Sequence, residues 1–236
     1  MTLQALGDSL TCGEGVGVRV PMRLVWTTLL SRTLGLERCS YAVPGARASD
    51  VRARQLPQAG GATVSTLLVG LNDVARTGFS ATRVREDVLH TVEQLSALSL
   101  TVLVGRLHDP TRMLWMPAAL RGLARRRLGL VNQALDEAAL LPGVHVLDLA
   151  TVPELATPAG WAVDRVHPSV AGHAGIARAA CGVLSRAGHQ LTVPEPAPMP
   201  RAPGVVARMG WSVRHGAPYV ARQVLVEPVI GRARFG

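Results

Sequence analysis

Leu3-Gln4-Ala5-Leu6-Gly7-Asp8-Ser9-Leu10-Thr11 is the stretch on which the fold turns. Residues 3–6 read as a short buried strand. Gly7 permits a sharp turn, and Ser9 then stands at the strand's carboxyl end. That edge is where open α/β sheets build their sites. A Gly-Asp-Ser turn is also an ordinary way to leave a strand and cap a helix, so its meaning depends on the residues downstream of it.

Working outward, the apolar pattern switches repeatedly between strand and helix. A Gly-rich loop over 13–17 precedes an amphipathic helix over 22–34, and strands follow over 39–43 and 64–69, the latter expected to be covered on both faces. Between them a short helix is expected over 48–56, with Ser49 or Asp50 near its start. Apolar residues at Val84, Val88, Val92, Leu95 and Leu98 predict a helix, and strand 100–104, helix 120–139, strand 144–149 and helix 170–184 complete the alternation. Five strands alternating with helices imply an α/β fold: a three-layer α/β/α sandwich around a five-stranded, mainly parallel sheet.

This unit is expected to span residues 1–189. Residues 190–204 carry Pro194, Pro196, Pro198, Pro200 and Pro203 and predict an extended linker. In the basic tail over 205–236, Val206, Met209, Val213, Ala217, Val220 and Val224 share one helical face, interrupted at Pro218. Packing back on the domain and a peripheral contact with a membrane or partner are both expectations for it.

Bulk composition narrows the function classes. The 236 residues are 48% hydrophobic but only 3% aromatic, so Leu, Val and Ala must fill the core. The formal charge is +9, and every basic residue is Arg. No aromatic-interleaved basic stripe accompanies that charge, so a nucleic-acid partner is not expected, and the cluster Arg121, Arg125, Arg126 and Arg127 is expected to be a solvated helix face. Without Lys the 7–17 loop fails the phosphate-loop pattern. Cys12, Cys39 and Cys181 show neither disulfide-framework nor metal-ligand spacing, and Cys12 is expected to fill space beside Ser9. The core pattern begins at residue 3 with no leader before it and no apolar run long enough to span a bilayer, so a cytoplasmic location is expected.

Three further blocks succeed Gly7-Asp8-Ser9-Leu10 in chain order: Val43-Pro44-Gly45-Ala46, Val69-Gly70-Leu71-Asn72-Asp73 and Asp164-Arg165-Val166-His167-Pro168. With them the chain resembles the SGNH hydrolase superfamily, the GDSL esterases and lipases. The four residues of that name would be Ser9, Gly45, Asn72 and His167. The resemblance implies a flavodoxin-like sheet, esterase or lipase-like activity on a small-molecule ester, and an oxyanion hole from the backbone N–H groups of Ser9 and Gly45 and the amide of Asn72.

The residues support that chemistry independently. A serine hydroxyl needs a base within reach and a third group to fix the base's tautomer. His167 and Asp164, three apart in one loop, can supply both. Their alternatives are a surface histidine and a turn residue, and Gly45 and Asn72 are equally turn formers. Asp8 and Asp73 are assigned to loop hydrogen bonding. Among the other histidines, His108 comes after a strand on the same sheet edge and is expected to line the pocket, while His173 is expected on a helix surface or in a packing contact. Met113, Leu114, Trp115 and Met116 suit either an acyl pocket or the core. No metal or cofactor is called for. An acyltransferase or tailoring deacylase would use the same blocks, and a non-catalytic binding protein on the same fold is the alternative from another class.

Overall fold

The computed structural model describes residues 1–15, 17–114, 116–191 and 203–216. Strand β1 (Thr2–Gly7) is interior to the main sheet because its apolar residues meet neighbours on both sides. It runs parallel to β4 (Glu37–Ser40) on one edge and β5 (Ala62–Leu68) on the other. Strands β6 (Ser99–Arg106) and β7 (Val144–Asp148) extend the sheet, giving the order β4-β1-β5-β6-β7 with every pair parallel. This is the five-stranded parallel sheet that the alternation implied. Two short strands, β2 (Glu14–Gly15) and β3 (Val18–Arg19), form a separate antiparallel hairpin where the sequence suggested only a loop.

Helices cover both faces. α2 (Trp26–Leu34) packs with α7 (Val170–Arg186) on one side, and α5 (Ala81–Leu98) packs with α6 (Ala118–Ala138) on the other. β5 is buried without interruption from Val64 to Leu68, as a strand covered on both faces must be. Trp26 and Trp161 are buried despite their polar N–H groups because each donates to a backbone carbonyl, Leu10 at 3.0 Å and Leu155 at 2.9 Å.

Three expectations are corrected. Ladder geometry of β4 ends at Ser40, although Tyr41 and Val43 still donate to the Ala5 and Gly7 carbonyls as the chain departs from β1. The helix expected over 48–56 is regular only in α3 (Ala48–Asp50), then widens into a π-turn over Val51–Gln55. That turn delivers the buried Gln55 side chain to Gly7, where it accepts from the N–H at 2.8 Å and donates to the carbonyl at 2.9 Å. The basic face of α6 is tied down rather than merely solvated: Arg125 pairs with Asp109, and Arg127 donates to the Val74 and Arg76 carbonyls while lying over the Phe79 ring.

His173 packs rather than facing solvent, fully buried with Nδ1 accepting the Trp26 N–H at 3.4 Å. Burial lowers its pKa to about 3 and that of His108 to about 4. Both are depressed in the fold, so their contribution to stability is present above the ordinary histidine range and lost as pH falls from about 6.5 towards 4. Urea unfolding across that window should therefore show stability falling with pH, and His108→Gln should flatten part of the slope.

Much of the expected linker, residues 192–202, lies outside the described residues, as do Ala217, Pro218, Val220 and Val224 of the tail. Within the described part, α8 (Val205–Trp211) leads into a π-turn over Ser212–Gly216. Among the described residues no helix is long and apolar enough to cross a membrane.

Candidate active site

At the end of β1 the backbone turns through Gly7 at φ +145°, where a side chain would collide with the Leu68 carbonyl. Asp8 then caps the four-residue helix α1 (Ser9–Cys12) by accepting from the Leu10 N–H at 2.9 Å. Ser9 is therefore held as the first residue of a helix at the sheet's carboxyl edge. Its Oγ lies 2.9 Å from His167 Nε2, and His167 Nδ1 lies 2.5 Å from Asp164 Oδ2.

The loop that carries the last two residues is built around Arg165. At φ +62° it is the one non-glycine residue with positive φ among those described. That left-handed step folds Asp164 back onto the ring of His167. The other oxygen, Oδ1, accepts from the N–H groups of Val166 and His167, each at 3.0 Å. Burial works to raise the Asp164 pKa, but the hydrogen bond and charge of His167 together with those two N–H groups outweigh it and hold the carboxyl below its ordinary range. Asp164 is thus an anion aimed at Nδ1, which leaves Nε2 as the nitrogen free to accept from Ser9.

Gly15 of β2 is a neighbour that sequence reasoning passed over. A Cβ at this position would overlap the His167 ring. Gly15→Ala should displace the imidazole and lower kcat by about 10²-fold, the cost of a misplacement near 1 Å, with little change in melting temperature. A kcat/KM measurement beside a thermal melt checks this.

Gly45 turns the chain after Pro44 at φ +79°. Among the described residues the N–H groups of Ser9 and Gly45 donate to no protein acceptor. Asn72, in α4 (Leu71–Ala75), donates from its amide nitrogen to Asp8 Oδ2 and to the Ala46 carbonyl, both at 3.1 Å. One amide thus ties together the loops after β1, β4 and β5. An incoming oxyanion would have to replace one of these acceptors. Burial raises the Asp8 pKa to about 7, helped by the charge of Asp73 and opposed by the Leu10 N–H, His167 and Asn72. Asp73, raised to about 6 by burial, accepts from the Ala48 N–H at 3.1 Å. Both carboxyls hold loops together, and Asp8 does so beside Ser9.

The remaining candidates fall outside this row. Cys12 Sγ lies 3.9 Å from the Ser9 carbonyl, and burial pushes its thiol up, away from the thiolate a nucleophile needs. His108 lines a cavity of about 240 Å³ past the ends of β6 and β7, with its ring centroid 4.4 Å from that of Trp161. Met113, Leu128 and Leu155 line the same cavity. Trp115 lies outside the described residues.

No curated protein sequence matches this chain. Among solved structures it is similar to the psychrotrophic esterase EstA from a Pseudoalteromonas species, at 14% identity over 78% of this chain and 97% of that one, with a TM-score of 0.60. TesA matches at 16% identity over 79% and 99% of the two chains, with a TM-score of 0.58. The acetylxylan esterase Axe2 from Geobacillus stearothermophilus matches at 21% identity over 77% and 92%, with a TM-score of 0.54. At such identities these likenesses speak for the fold, which is that of SGNH hydrolases. A model of the GDSL-like lipase/acylhydrolase family matches residues 5–174, from within β1 to the first turn of α7, and so contains all four blocks. The chain belongs to the GDSL-like lipase/acylhydrolase family, hydrolases that act on esters.

Proposed function

We propose that this protein cleaves carboxylic esters of small molecules, acylated sugars or lipids by two-step acyl transfer, with Ser9 as nucleophile, His167 as general base and Asp164 as the group that orients it. The observation that carries this reading is the row Ser9 Oγ, His167 Nε2, His167 Nδ1 and Asp164 Oδ2, joined at 2.9 and 2.5 Å. Within it, Ser9 Oγ attacks the ester carbonyl as its proton passes to His167 Nε2. The tetrahedral oxyanion is met by the N–H groups of Ser9 and Gly45 and by the Asn72 amide. Collapse breaks the bond to the alcohol oxygen, which leaves with the proton from Nε2. Water then attacks the acyl-serine with His167 as base, releasing the acid and restoring Ser9.

The catalytic unit in this reading is the domain of residues 1–189. Asn72→Ala should lower kcat by roughly 10²- to 10³-fold with little change in KM, because a donor to the oxyanion acts in the transition state. Unchanged turnover would remove Asn72 from that role. The reading itself is tested by labelling with a small fluorophosphonate and peptide mapping. An adduct at Ser9 that disappears in Ser9→Ala and His167→Ala supports it, and no adduct in folded protein overturns it. Product analysis with a competing alcohol separates hydrolysis from acyl transfer.

A further inference from the structure

The described part of the tail turns an unexpected face to the domain. Arg208, Trp211 and His215, spaced as one side of a helix, are half-buried, whereas Val206, Met209 and Val213 are exposed at 85%, 65% and 78%. Hydrophobic packing alone would bury the second set. Two of the first set, His215 and Arg208, have neighbours close to the candidate site. The His215 ring lies against Gly17, where a Cβ would come within 2.7 Å of two ring carbons. Gly17 stands in the turn between β2 and β3, and Gly15 of that hairpin abuts the His167 ring. Arg208 lies within electrostatic reach of Arg165, the left-handed residue between Asp164 and His167.

We propose that residues 203–216 form a cap on the candidate active site, seated on the hairpin and the histidine loop, that limits which esters reach Ser9. This rests on the reading of Ser9 as the nucleophile. Two physical features suit a cap that opens. Its seat includes a ring on a glycine backbone and leaves Val206, Met209 and Val213 exposed, and the Arg165 and Arg208 guanidinium groups repel each other when it is seated. With these residues in place Ser9 is 8% exposed.

The test uses the full chain and two variants, the double substitution Trp211→Ala with His215→Ala, and Arg208→Glu. Amide hydrogen exchange reports seating, independently of catalysis. The ratio of Ser9 labelling rates by a bulky and a small fluorophosphonate reports gating. In the double variant, exchange at residues 14–19 and 165–167 should quicken and the bulky-to-small ratio should rise by about fivefold or more. Arg208→Glu replaces repulsion of Arg165 with attraction, so its ratio should fall. Exchange that is unchanged in the double variant overturns the cap, as does faster exchange with an unchanged ratio. Failure of the small probe to label Ser9 in the parent chain defeats the nucleophile reading instead, and the exchange data still decide whether the cap is seated.

Discussion

Ser9→Ala should lower ester turnover by about 10⁴- to 10⁶-fold, the loss expected on removal of a nucleophile from a cooperating row of side chains. The substitution deletes one oxygen from a nearly buried position and leaves Asp8, which caps α1, in place. Folding should therefore survive, and the melting temperature should stay within a few degrees of the parent. The residual rate, set by oxyanion donors and binding alone, should no longer depend on His167. Measuring kcat/KM for Ser9→Ala, His167→Ala and the double variant checks this, because three nearly equal losses mean one shared step. A parent-like rate in Ser9→Ala would place the chemistry elsewhere.

Asp164→Asn should cost about 10⁴-fold in kcat with the loop geometry nearly intact. In the parent, the carboxylate accepts from Nδ1 and from two backbone N–H groups, which fixes the tautomer with Nε2 unprotonated. An amide can present N–H to Nδ1 and so favour the opposite tautomer, whose Nε2 cannot take the serine's proton. The carboxyl's lowered pKa provides a second readout. A carboxylate depressed in the fold adds stability above its unfolded pKa and loses it as pH falls through the folded value. The variant should thus melt below the parent at pH 7, and the two should converge in acid. Melting curves at several pH values give that comparison alongside the rates.

The fold was legible because short strands rich in Leu, Val and Thr are separated by helices of clear period, as in Val64 to Leu68 of β5 and the Val84 to Leu98 face of α5. The candidate site was legible as four blocks whose residue types fit one reaction, although nothing in their spacing gives a distance. What escaped reading depends on contacts between distant segments. Strands β2 and β3 are two residues each, too short for any alternation to register, so Gly15 read as one glycine of a Gly-rich loop rather than as room for an imidazole. The π-turn at Gln55 is set by its bonds to Gly7, 48 positions away. Burial of His173 depends on Trp26 across 147 positions. The tail's apolar stripe was visible, but the side that carries His215, whose ring lies against Gly17, is the half-buried one, and no periodicity encodes that choice.

The bond between Ser9 Oγ and His167 Nε2 joins residues 158 positions apart. During translation a ribosome therefore exposes the serine long before the imidazole has been made. On the proposed reading, a growing chain that has made β1, β4, β5 and β6 but not His167 carries an unactivated hydroxyl. On that reading, reactivity has to wait until the Asp164 to His167 loop has been made and has met Ser9. Covalent trapping of the serine during synthesis would accordingly mark finished molecules and pass over nascent ones.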